Sequence, residues 1–125
     1  MDSYLLVAGC LSIALGIIHS VMGEFLIFRR MRDGHIIPTN GHPVLKERHV
    51  RILWASWHLA SVFGWGLGVI LLRYSFYSTE QNQLFIENTI LLSMLSGALL
   101  VFIGTKGKHP GWVVLLAITI LLAIK

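Results

Sequence analysis

Ile52-Leu53-Trp54-Ala55-Ser56-Trp57-His58-Leu59-Ala60-Ser61-Val62-Phe63-Gly64-Trp65-Gly66-Leu67-Gly68-Val69-Ile70-Leu71-Leu72 runs without an Asp, Glu, Lys or Arg between its flanking Arg51 and Arg73. A helix that crosses a bilayer needs about 20 mostly apolar residues. A soluble protein does not carry an apolar run of this length at its surface, so the stretch predicts a transmembrane helix over 52–72. Its Gly64 and Gly68 are four apart, the spacing at which small residues let two membrane helices approach closely.

Working outward, three more stretches of this kind follow. The first covers 4–28 and is broken only by His19 and Glu24 before it stops at Arg29, Arg30 and Arg32. A third covers 84–103, with Glu87 and Asn88 near its start, and the fourth covers 110–124, opening on Pro110-Gly111-Trp112. Proline suits a first helical turn, where its missing N–H has no partner to lose. Counted to Lys125, the fourth stretch has length for about 24 Å at 1.5 Å per residue, short of the roughly 30 Å of hydrocarbon. It is expected just to reach the far interface.

Composition agrees with this reading. Hydrophobic residues are 55% and charged residues 13% of the 125 residues, and the mean hydropathy is +0.74. A typical soluble domain has about 25% charged residues. The balance excludes a disordered tail, and the three prolines and twelve glycines without a period exclude a collagen-like chain. A single cysteine, Cys10, excludes an intramolecular disulfide or a cysteine-based zinc module, and within an apolar helix its thiol should be inert. The expectation is one all-α integral membrane domain over 1–125, a four-transmembrane-helix bundle. The first stretch begins Met1-Asp2-Ser3 and has no basic leader, so it reads as a retained helix and not a cleaved signal.

Charge sets the expected orientation, because short loops rich in Lys and Arg stay in the cytoplasm. The 29–51 loop holds Arg29, Arg30, Arg32, Lys46, Arg48 and Arg51 against Asp33 and Glu47, and Lys106 and Lys108 lie between the third and fourth stretches. The other side carries Asp2, Glu80 and Glu87 against Arg73 and Lys125. Both termini are therefore expected outside the cytoplasm. The same asymmetry accounts for the pI of 9.6, and with no aromatic-rich basic patch in the loops there is no nucleic-acid signal. Gly34, Pro38, Asn40, Gly41 and Pro43 punctuate the long loop, so the seven-residue spacing of His35, His42 and His49 carries no helical meaning, although Lys46 to Arg51 suits an extension of the second helix. Tyr74, Phe76 and Tyr77 are placed for the opposite interface.

Ionisable groups within a span mark a function or a buried partner. His19 lies nine residues before Phe28 and His58 seven after Arg51, which puts both about 10 to 14 Å from the basic end on neighbouring antiparallel helices. At about 100° per residue, Ser12, Gly16, His19 and Gly23 share a face of the first helix. Arg51, Trp54, His58, Ser61 and Trp65 form a stripe on the second, beside the small-residue stripe of Trp57, Ala60, Gly64 and Gly68. Thr89, Ser93, Ser96 or Gly97, and Gly104 line the third.

Several chemistries fit these residues. Two inward histidines can ligate a b-type haem, with Arg51 near its propionates and Trp54 and Ser61 beside it. His19 and His58 can instead join His109, His49 and Glu24 around zinc or copper, although Glu24 lies about 140° round the helix from His19. A quinone cleft beside a histidine would use the tryptophans. The structural alternative has the histidines hydrogen-bonding each other, Ser61 or a backbone carbonyl in an accessory or assembly subunit of a membrane complex, or in a homo-oligomer. A minimal proton-coupled transporter would relay protons through Glu24 or the histidines. On its own, Glu24 is expected to snorkel toward Arg29 or the headgroups. No catalytic triad, phosphate-binding glycine loop or carboxylate pair is evident in the spans.

Overall fold

A computed structural model of the chain describes residues 1–77 and 82–124. Glu80 and Lys125, counted above on the terminal side, lie outside the described residues. Among the described residues four α-helices follow one another: α1 (Ser3–Leu26), α2 (Glu47–Phe76), α3 (Gln83–Thr105) and α4 (Gly111–Ala123). The fold is an all-α, four-helix membrane bundle. α1, α2 and α3 are long and apolar enough to cross a bilayer, while α4 is a shorter apolar helix. At about 1.5 Å per residue, α4 spans roughly 20 Å.

Local chemistry sets the ends. Asp2 caps α1, its side chain accepting from the backbone N–H of Tyr4 at 2.9 Å and Leu5 at 3.2 Å. A 3-10 turn over Phe28–Met31 follows α1 and tucks the Phe28 ring inward. The backbone then turns at Gly34, whose φ of +77° suits glycine. α2 starts at Glu47, five residues before the uncharged run, because Glu47 to Arg51 extend the helix, with Lys46 at its N-cap. At about 1.5 Å per residue its 30 residues reach roughly 45 Å, longer than the hydrocarbon is thick, so a helix of this length leaves turns outside it. α3 ends where Lys106 turns left-handed and the Gly107 N–H donates to the Phe102 carbonyl at 2.8 Å.

Extensive packing joins consecutive helices: α1 on α2, α2 on α3, and α3 on α4. Few large apolar side chains are enclosed; the buried apolar set is Phe28, Val50, Ala55, Ala98 and Val101. In the apolar window of each long helix only 11 to 17% of residues are buried within the chain. Lipid takes the place of a soluble protein's core on the other faces, and the seams are built from small residues instead. On α1 the buried residues are Gly9, Gly16 and Gly23, seven apart. A Cβ on Gly16 would stand 2.5 Å from the Trp65 indole nitrogen, and one on Gly23 would run into Trp57. These glycines form hollows in which two α2 tryptophans sit. At the end remote from the basic loops, the Asp2 N–H donates to the Ser75 carbonyl at 2.9 Å, and the Arg73 guanidinium lies 3.7 Å over the Tyr77 ring.

Candidate functional site

The polar side chains of α1 and α2 meet near their basic ends. Ser20 and Glu24 are one turn apart on α1, and Trp54, His58 and Ser61 follow one another on α2, so each helix offers a single polar stripe to the other. Glu24 is the centre. Its Oε1 accepts from Trp54 Nε1 at 2.7 Å and lies 2.9 Å from His58 Nε2. Its Oε2 pairs with the Arg32 guanidinium, which returns from the loop just past the 3-10 turn. On the far side of the imidazole, His58 Nδ1 lies 2.9 Å from the Ser20 hydroxyl, which in turn lies 2.8 Å from that of Ser61. The result is one continuous chain: Arg32, Glu24, His58, Ser20, Ser61.

Exposure is graded along it. The Glu24 and Arg32 side chains are 29% and 27% exposed, that of His58 15%, and Ser61 as a residue 2%. Phe28 and Trp54 close on the imidazole, with ring centroids 6.1 Å and 4.9 Å away. At its inner end Ser61 also borders a groove of about 230 Å³ lined by Ser12, Gly16, His19 and Gly64. The chain of polar groups thus joins a groove between the helices to the basic end of the bundle.

Carboxylate, imidazole and hydroxyls in this order can carry a proton. With the imidazole neutral and its proton on Nε2, His58 donates to Glu24 and accepts from Ser20, which then accepts from Ser61, the reverse of the Ser20-to-Ser61 donation in the structure. With a proton on both nitrogens, His58 donates to Ser20, and both hydroxyls reverse. Passing from the first pattern to the second takes one proton added at Nδ1 together with rotation of the two hydroxyls.

The sequence-predicted residues divide into four places. His58, Trp54, Ser61 and Glu24 come together in the chain just described. His19 stays beside it without joining it: its ring stacks on Trp57 at 4.3 Å and 6°, and its backbone carbonyl accepts from Trp57 Nε1 at 2.9 Å. Arg51 leaves the α1–α2 seam altogether. It is buried toward α3, with one terminal nitrogen 3.4 Å from the Ile103 carbonyl and the other 3.7 Å from Glu47. His49 and His109 border a cavity of about 420 Å³ together with Arg48 and Lys108, whose charges oppose a cation there.

Among the described residues no three His, Cys, Asp or Glu side chains converge as a metal site would need. Of the two histidines expected to hold a haem, His58 has both ring nitrogens engaged, by Ser20 and Glu24. The hollows at Gly16 and Gly23, which would have admitted a macrocycle, hold indoles. Glu24 does not snorkel toward Arg29; it turns into the seam because three donors meet it there.

Sequence reasoning missed Ser20 and Arg32. Ser20 was legible as the residue one turn from Glu24; Arg32 lies beyond the helix, where periodicity has nothing to say. Comparison with protein-family models, with curated proteins and with solved structures finds no match for this chain.

Proposed function

We propose that the chain works as a minimal proton-coupled membrane transporter whose relay is Glu24, His58, Ser20 and Ser61. The observation that carries this reading is the unbroken hydrogen-bonded chain from the groove at Ser61 to the part-exposed Glu24. His58 is the group that changes protonation, Ser20 orients it, and Glu24 stabilises the imidazolium and hands protons to water at the basic end. Arg32 and Trp54 hold the carboxylate in place. Under the positive-inside rule that end faces the cytoplasm and both termini lie on the opposite side. The solute sharing the pathway would be small enough for the groove, in this chain or between copies of it.

The test is proton uptake in liposomes carrying a pH-sensitive dye, driven by a potassium diffusion potential, with and without candidate solutes. The wild type is expected to take up protons, and Glu24→Gln and His58→Ala to fall to the rate of empty vesicles. Wild-type vesicles no faster than empty ones would overturn the relay. So would a Soret band in the purified protein that is lost in both His19→Ala and His58→Ala, which would instead make the seam a haem site. The structural reading, an accessory subunit, draws on the fact that each polar side chain of the chain has a partner; it predicts that Glu24→Gln weakens folding with no flux to lose.

A further inference from the structure

A second cluster lies outside the relay, where the first turn of α2 faces the end of α3. A pocket of about 300 Å³ is lined by Lys46, Arg48, Arg51, Lys106 and Lys108, with Thr105 and one carboxylate, Glu47. Five cations facing one carboxylate leave a strongly positive cavity. Glu47 is shared, 3.7 Å from Arg51 and 3.4 Å from Lys106, so neither cation is neutralised by a carboxylate of its own. The start of α2 adds to this: Lys46 at its N-cap makes no side-chain capping bond, and the first backbone N–H groups of a helix are donors that favour an anion.

Arg51 points to a ligand independently of the surface charges. It is only 8% exposed, yet among the described residues its buried Nε has no hydrogen-bond partner, and its terminal nitrogens hold two long contacts there, to Ile103 and Glu47. Buried donors are ordinarily satisfied. A guanidinium held at the back of a cationic pocket with so little to bind is an under-used anion receptor, and the group that matches its fork is a phosphate.

We propose that this pocket binds a phosphate group, with Arg51 as its buried anchor and Lys46, Arg48, Lys106 and Lys108 as its rim. The phosphate is that of an anionic lipid headgroup or of a free phosphorylated solute. The pocket stands on the part of α2 that outreaches the hydrocarbon, the level at which lipid phosphates lie.

Both sources are tested on the intact protein. In nanodiscs of phosphatidylcholine, a fluorescent phosphatidylglycerol reports lipid binding. In detergent, inorganic phosphate and pyrophosphate report the free anion through a rise in melting temperature. The site predicts preference for phosphatidylglycerol over phosphatidylcholine, or a rise with millimolar phosphate, and which of the two is seen identifies the source. Lys106→Asn with Lys108→Gln removes two exposed rim charges, asparagine being tolerated at the left-handed position of Lys106. At roughly fivefold per cation, binding should fall about 25-fold. Arg29→Gln with Arg30→Gln removes the same charge from exposed positions that do not line the pocket and should leave binding within about twofold of wild type. Equal losses in the two double variants would mean diffuse surface attraction and would overturn the pocket. So would the absence of both the lipid preference and the phosphate shift. Arg51→Lys keeps the charge but loses the fork, and is expected to weaken binding while the protein still folds.

Discussion

The α1–α2 seam and the α3–α4 seam both join apolar helices, yet they are held differently. Across the first run Ser12 to the Gly64 carbonyl, Ser20 to His58 and Ser61, Trp57 to the His19 carbonyl, and Trp54 and His58 to Glu24. In the second, the threonines turn back on their own helices, Thr105 donating to the Val101 carbonyl and Thr119 to that of Leu115, and Trp112 Nε1 donates to the Gly107 carbonyl of the connecting turn. Phe102 meets Trp112 edge to face at 5.0 Å, an apolar contact. Hydrocarbon offers polar groups no competing solvent, so a helix that carries them must find partners on a neighbour or on itself. The first pair took the neighbour and so acquired a connected titratable chain; the second took itself and remained an apolar support.

The largest expected effect breaks the chemistry of the first seam without emptying it. Glu24→Gln keeps the shape and a hydrogen-bond acceptor but removes the carboxylate, and relay flux should fall about 100-fold, the scale on which positioned acid–base groups act. Flux unchanged in that variant would remove Glu24 from the relay. Next comes the packing. Gly16→Ala puts a methyl against the rigid Trp65 indole and should cost about 1 to 3 kcal/mol, as overpacking does. Gly97→Ala on α3 meets the flexible end of Leu59, 2.7 Å from Leu59 Cδ1, and should cost clearly less. Unfolding by titrated SDS in mixed micelles compares the two, and a larger loss at Gly97 would rank the α2–α3 contact at Leu59 above the α1–α2 contact at Trp65.

How much of this was legible in the sequence depends on whether the information was local. The helices were, because an uncharged run of membrane length has few other fates; the ends moved by a few residues, most at Glu47, where charged residues extend α2 into the headgroups. The inward faces of Gly16, Gly23, His58 and Ser61 also follow from period alone. Glu24 did not: measured against His19 on its own helix it points away, but its partners Trp54 and His58 are on the next helix, and only the register of α1 against α2 brings them within reach. Arg51 shows the same limit in reverse. It shares the His58 stripe by period, but at the end of α2 the nearer acceptors are the last carbonyls of α3, and the side chain goes there.

The smallest effects test whether a hydrogen bond across a seam differs from one within a helix. Ser20→Ala removes the bridge between His58 and Ser61, and bonds of this kind between membrane helices average about 0.6 kcal/mol, so the loss in unfolding free energy should be near that figure. Thr119→Val is nearly isosteric and removes only a bond to a carbonyl that already serves its own helix. That carbonyl keeps its backbone partner, no donor is stranded, and the change should stay within about 0.5 kcal/mol of zero. The informative quantity is flux at equal folded protein. Ser20→Ala should slow the relay well beyond its effect on stability, because His58 Nδ1 loses the hydroxyl that passes it a proton, whereas Thr119→Val should alter neither. If Ser20→Ala lowers stability and leaves flux intact, the hydroxyls serve only to join the helices, and the conducting path shrinks to His58 and Glu24.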